Sequence, residues 1–189
     1  MILDPPADMQ QVLLAMEEQL KRDQPSLQSV PRDVGRLLSL LALTAPQGGF
    51  LELGTSGGYS SLWLSLALKQ RGAKLITVDY DEKKVDLARQ NIAKAGAGEF
   101  VEVFHGDAFD FATRYDNLAL CFIDLHPPEH NGKIYDLVVP RIVPGGWIIL
   151  DNMTSPRDQS EIINRVENDP RVDSVLLPFP KGDLICRKC

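Results

Sequence analysis

Five acidic side chains stand at or just past the ends of apolar runs: Glu52 after Phe50-Leu51, Asp79 after Leu75-Ile76-Thr77-Val78, Asp107 beyond the run 100–104, Asp124 after 118–123 and Asp151 after 147–150. Such carboxylates sit where open α/β sheets bind ligands, outside the carboxyl ends of the strands. The first leads into Gly54-Thr55-Ser56-Gly57-Gly58-Tyr59-Ser60. Glycine lets backbone approach a ligand with no Cβ in the way, and Gly54, Gly57 and Gly58 are expected to take positive φ as the loop turns into a helix. The spacing is not that of a dinucleotide loop. Counted from Gly54, the pattern G-x-G-x-x-G meets Ser56 and Tyr59, and no P-loop lysine follows.

Glu52 would repel a pyrophosphate, whereas S-adenosylmethionine has no phosphate and carries an ammonium and a sulfonium. That cofactor is therefore the expected ligand. Asp79, 27 residues after Glu52, stands where an acidic residue accepts hydrogen bonds from ribose hydroxyls in nucleotide-binding α/β folds. Gly106-Asp107-Ala108 follows at a distance suited to the adenine end. Asp124, Asp151 and Asn152 would lie on neighbouring strand ends. Two carboxylates and an amide oxygen are a hard-oxygen set for Mg2+ or another divalent cation, with positions left for a substrate's oxygens. Such an ion lowers the pKa of a bound hydroxyl and holds it for attack on a methyl group.

The elements that must position these residues read as an alternation. Two amphipathic helices come first, with Met9, Val12, Leu13, Met16 and Leu20 after Asp8, and Val34, Leu37, Leu38 and Leu41 after Pro31. They are expected to pack on each other or on a sheet edge. Strands are predicted at 50–53, 74–79, 100–104, 118–124, 147–150, 172–177 and 183–188, and helices at 59–70, 82–95, 108–114, 132–141 and 157–168. This implies an α/β, Rossmann-like, doubly wound and mostly parallel seven-stranded sheet. About five residues separate the last two strands, too few for a crossover helix, so a C-terminal antiparallel hairpin is expected at the sheet edge.

With 189 residues, 44% of them hydrophobic, the chain suits one domain, with N-terminal helices over 1–45 and a core over 50–189. No stretch is long and apolar enough to cross a bilayer, so no membrane partner is expected. Met1 to Gln11 contains Asp4 and Asp8 and lacks the regions of a signal peptide, which predicts a cytoplasmic protein. A net charge of −6 repels polyanions and argues for a small-molecule partner rather than nucleic acid. Cys121, Cys186 and Cys189 form no disulfide framework. The C-x-x-C spacing of the last two falls in a strand and at the final residue, without the second pair that a zinc site needs.

From about Ser29-Val30 onward the chain resembles the metal-dependent class I O-methyltransferases, which include the catechol and caffeoyl-coenzyme A enzymes and their small bacterial relatives. The motifs that carry the likeness are LELGTSGGYSSLWLS at 51–65, ITVDYD at 76–81, HGDA at 105–108, FID at 122–124 and VPGGWIILDNM at 143–153. The resemblance implies cofactor contacts from Val30, Glu52, Gly54, Ser60, Asp79 and the segment Gly106, Asp107, Ala108. Thr55, Ser56, Tyr59, Tyr80 and Asp124 are counted with them. It implies a divalent metal held by Asp124, Asp151 and Asn152, and a homodimer is common among such relatives. Gly182-Asp183-Leu184 is similar to a G-D-G-L segment with the second glycine missing.

One departure concerns the chemistry. Enzymes of the catechol type place a lysine three residues after the first metal aspartate, where it deprotonates the bound hydroxyl; here Pro127 stands there, and proline does no acid–base work. His126, His130 and Lys133 of the same loop are the candidate substitutes. A short segment ahead of the first strand further suggests an open acceptor site. The expected activity is methyl transfer from S-adenosylmethionine to a hydroxyl of a small aromatic acceptor. A non-catalytic cofactor-binding module or sensor, and methylation of a hydroxylated tRNA base, are the alternatives; a nicotinamide oxidoreductase is disfavoured by the glycine spacing.

Overall fold

The computed structural model describes residues 4–22, 29–154 and 159–189. In chain order the helices are α1 (Ala7–Arg22), α2 (Arg32–Thr44), α3 (Tyr59–Arg71), α4 (Glu82–Lys94), α5 (Ala108–Arg114), α6 (Asn131–Val138) and α7 (Ser160–Glu167). The strands are β1 (Gly49–Leu53), β2 (Leu75–Asp79), β3 (Val101–His105), β4 (Leu118–Ile123), β5 (Ile142–Leu150), β6 (Val172–Leu177) and β7 (Asp183–Lys188). They form one seven-stranded sheet in the order β3-β2-β1-β4-β5-β7-β6, the Rossmann-like doubly wound class. Pairing is parallel for β2 with β3, β1 with β4 and β4 with β5, and antiparallel where β7 joins β5 and β6. The expected terminal hairpin is therefore present. Among the described residues no helix is long and apolar enough to cross a membrane.

By packing, the chain divides into two compact units, Met1–Thr44 with Thr55–Gly106, and Ala45–Gly54 with Asp107–Cys189. In the first, α3 is buried along its length from Tyr59 to Leu68, as suits a helix enclosed on all sides. The N-terminal helices do the enclosing. The two meet each other through the Arg32–Glu17 pair, and their main packing is against α3, with α1 also touching α4. The reason is Gly35. Its bare Cα lets α2 approach so closely that a Cβ there would lie 2.6 Å from Trp63 Cγ.

In the second unit β5 begins at Ile142 rather than at 147. Val143-Pro144-Gly145-Gly146 reads as a turn, yet the strand carries it as an irregularity, passing from the pair Leu118↔Ile142 to Leu120↔Trp147 with Gly145 at φ 79°. The helix expected over 132–141 is α6 followed by a 3-10 turn at Val139–Arg141, because Pro140 has no N–H to continue the α ladder. A second such turn at Pro128–His130 precedes α6. Of the helix expected from 157, residues 157 and 158 lie outside the described residues.

Gly35→Ala sets a gain in helix propensity of about 1 kcal/mol against an overpacking cost of about 1–3 kcal/mol. Trp63 is fully buried and its ring cannot retreat cheaply, so the cost wins. Chemical denaturation should show a lower midpoint for the variant; an unchanged or higher midpoint contradicts this packing.

Candidate active site

In the first unit the glycine loop is fixed by its own backbone. Thr55 donates its N–H to Val78 O at 3.2 Å, the Thr55 and Thr77 hydroxyls meet at 2.6 Å, and Gly58 N–H closes a turn onto Thr55 O at 2.9 Å. Gly58 has φ 87°, but the other positive φ falls on Ser56, at 47°, and not on Gly57 as expected. A hydrogen bond explains why a serine tolerates it. Ser56 N–H points at Asp79 Oδ2, 2.8 Å away, while Asp81 N–H donates to Asp79 Oδ1 at 3.0 Å. A carboxylate has about four acceptor positions, so Asp79 keeps capacity for ligand hydroxyls. Gly106 N–H reaches Asp79 O at 3.0 Å, bringing that glycine to the end of β2.

Val30 and Ser60 are buried, and the Tyr80 side chain is 66% exposed. Tyr59 is buried with its hydroxyl donating to Glu17 Oε1 at 2.7 Å. Glu17 also receives Arg32 Nε at 3.1 Å and Nη2 at 3.3 Å, and the Arg32 guanidinium lies 5.9 Å from the Trp63 ring centroid. Burial and the Glu17 bond hold the Tyr59 phenol protonated. This clamp ties α1 and α2 to the first turn of α3. Sequence reading missed Glu17 and Arg32, whose only signal was their place on amphipathic helices.

In the second unit Glu52 is fully buried on β1 opposite Phe122. Gly54, at φ 105°, has no alternative residue, since a Cβ would run into the Asp124 carbonyl oxygen. Asp124 N–H donates to Leu53 O at 2.9 Å and Asp151 N–H to Ile123 O at 3.0 Å, so the parallel ladders carry both aspartates to adjacent strand ends. Asn152, at φ 64°, turns its amide back, and Nδ2 donates to Asp124 Oδ1 at 2.6 Å. The three residues expected to hold a metal are thus brought together. Among the described residues no group of three or more His, Cys, Asp or Glu is disposed to hold a metal ion, the trio being two carboxylates and an amide. Asp107 caps α5, accepting from Phe109 N–H at 2.7 Å, and Ala108 begins that helix.

The candidate bases lie differently. His126, His130 and Lys133 are all exposed, and the His130 ring sits edge-on to Phe109 with centroids 5.4 Å apart. Two polar residues near Asp151 carried no role in the sequence reading. Buried Asn131 donates Nδ2 to Asp151 O at 3.0 Å, fixing the end of β5. Asp183 opens β7, and the pair Leu150↔Leu184 continued by one residue sets it opposite Asp151. A known hairpin register would have disclosed it; composition could not.

Asp151 is pushed up to about 9 by burial first, then by Asp124 and Asp183, with Lys181 opposing. Asp183 is pushed up to about 7 by burial and then by Asp124. Both values exceed the ordinary carboxylate value of 3.8, so the folded protein keeps protons that the unfolded chain releases. Stability contributed by these groups is full below that value and declines as pH rises toward 7 and then 9. The melting temperature of metal-free protein should fall between about pH 5 and pH 9, and Asp151→Asn should flatten the fall. A wild-type profile that rises across this interval contradicts the assignment.

A family described as a methyltransferase domain matches residues 51–153. A catechol O-methyltransferase of Niastella koreensis is 32% identical over 149 residues, covering 76% of this chain and 65% of its own length. One of Mycobacterium tuberculosis is 32% identical over 127 residues, covering 66% of this chain and 57% of its own length. The chain therefore spans less than two thirds of either relative. The crystal structure of an O-methyltransferase from Bacillus cereus in complex with SAH superposes with a TM-score of 0.79 at 25% identity, covering 99% of this chain and 93% of that one. The family match begins at Leu51 and ends at Met153, and so takes in the glycine loop, Asp79, Asp124 and the Asp151-Asn152 turn, more than half of the chain. On that ground the chain belongs to the methyltransferase-domain family.

Proposed function

We propose that this protein transfers a methyl group from S-adenosylmethionine to a hydroxyl of a small aromatic acceptor, assisted by a divalent cation. The observation that carries the reading is the glycine loop pinned to Asp79 through Ser56 N–H at 2.8 Å, within a chain whose Bacillus cereus neighbour holds SAH. Asp79 accepts the ribose hydroxyls. The first-turn N–H groups of α3, whose cap Gly58 supplies no side-chain acceptor, suit the carboxylate of the cofactor's amino-acid end. Glu52, Gly54, Thr55, Ser56, Ser60, Val30 and the stretch Tyr80, Gly106, Asp107, Ala108 complete the proposed contacts. Tyr59 contributes through the hydroxyl bond that clamps it to Glu17 rather than through a hydroxyl bond to the cofactor.

The residues present fit a divalent cation. Asp124, Asp151 and Asn152 are hard-oxygen donors at adjacent strand ends, and burial first, then the neighbouring Asp124 charge, raises the pKa values of Asp151 and Asp183. When bound, the ion supplies acidification and orientation of the acceptor hydroxyl. The reaction forms an oxygen–carbon bond and breaks the sulfonium–carbon bond, releasing a neutral thioether and a proton. His126, His130 or Lys133 takes the proton, since Pro127 cannot. The two catechol O-methyltransferase relatives favour an aromatic diol as acceptor.

Replacing Asp79 by Ala removes charge-assisted hydrogen bonds worth about 1.5–3 kcal/mol, so calorimetry should record cofactor affinity about tenfold to hundredfold weaker. Wild-type affinity in that variant would refute the loop assignment. Excess EDTA should abolish methylation of a catechol while cofactor binding persists, and undiminished turnover would reject the cation. The exposure of all three candidate bases favours a second reading, a cofactor-binding module without catalysis. Tight cofactor binding with no methylation across a catechol panel, with or without Mg2+, would support it.

A further inference from the structure

We infer that Asp183 is an outer carboxylate of the divalent-cation site at Asp124, Asp151 and Asn152, a positioning residue that strengthens ion binding from the neighbouring strand. This rests on the cation reading given above. Residues directly opposite across a sheet point to the same face. Ile123↔Leu150 and Leu150↔Leu184 are paired, so one residue further along each strand Asp124, Asp151 and Asp183 form a single row across β4, β5 and β7. Neighbouring strands lie about 4.8 Å apart, which makes this a line of carboxyl groups, two of them buried and Asp124 half-buried.

Asp183 is 1% exposed, and neither of its carboxylate oxygens has a hydrogen-bond partner among the described residues. A buried carboxylate left so is expensive unless something else answers its charge. The hairpin also prevents it from turning away. Met153 N–H donates to Gly182 O at 3.0 Å and Thr154 N–H to Lys181 O at 2.8 Å, one residue out of step with the β5–β7 pairing. Asn152, at φ 64°, takes up the extra residue. Gly182 has φ 73°, and a Cβ on it would lie 2.5 Å from Thr154 Cγ2, so the strand start is locked onto the chain that leaves β5. The same lock that leaves Asp183 unpaired holds it beside the proposed ligands. Carboxylates that stand behind metal ligands hold the ion through charge and through the groups they orient.

The test uses the full chain stripped of metal, with Mn2+ as probe, and compares wild type with Asp183→Asn. Calorimetry should give about tenfold or more weaker Mn2+ binding for the variant. Its metal-free melting temperature should be higher than wild type, because a like charge has been removed, and its Mn2+-induced rise in melting temperature smaller. A purely structural aspartate would move the metal-free melting temperature down and leave Mn2+ affinity alone, which would overturn the inference. Should Asp183→Asn fail to fold, Asp183→Ser is read against the same outcomes. If wild-type protein binds no Mn2+, the cation reading falls and this inference with it; if wild type binds and the variants bind equally well, the inference alone falls.

Discussion

The chain can leave β1 as it does only because residue 54 carries no side chain. Gly54 lies against the carbonyl of Asp124, at a φ that other residues rarely adopt, and any Cβ would collide with that oxygen. Two consequences follow from this one close approach. The backbone after β1 starts its turn early, so that Thr55 can reach Val78 and Ser56 can reach Asp79. The end of β4 is held at the same place, where Asp124 is presented next to Asp151.

Around these strand ends the polar groups are of two kinds. Several in the glycine loop are answered within the protein: Asp79 receives two N–H groups, Thr55 and Thr77 bond each other, and Gly57 O receives Asn91 Nδ2, while the buried Ser56 hydroxyl has no partner among the described residues. Those at the ends of β4, β5 and β7 are in electrostatic conflict. Three carboxylates in one row, Asp151 and Asp183 buried and Asp124 half-buried, cost free energy that hydrogen bonds from the Asn152 main-chain and side-chain N–H groups offset only in part.

The N-terminal helices are part of the same construction. α3 starts from the glycine loop and is buried on every side from Tyr59 to Leu68. α1 and α2 cover it, and the Glu17 carboxylate joins Tyr59 to Arg32 where the loop becomes helix. The clamp explains why a tyrosine in the loop motif is buried with its hydroxyl turned to α1.

Much of this was legible in the residues themselves. Strand period, helix period and the short span between the last two strands predicted the alternating sheet and its antiparallel end, and the acidic residues after apolar runs marked the strand tips. These are local properties, written into the order of side chains along the chain. What could not be read was anything fixed by contact between distant segments. Ser56 rather than Gly57 takes the left-handed conformation because Asp79 supplies a hydrogen-bond acceptor there. β5 extends through a Pro-Gly-Gly segment because β4 pairs with it on either side, at Ile142 and at Trp147. Asp183 joins Asp124 and Asp151 because antiparallel register adds one strand to a row begun by parallel pairing. The sequence determined which elements form and which acidic residues end them; tertiary structure decided which of those residues share a face, since register and close approach arise only when separate segments meet.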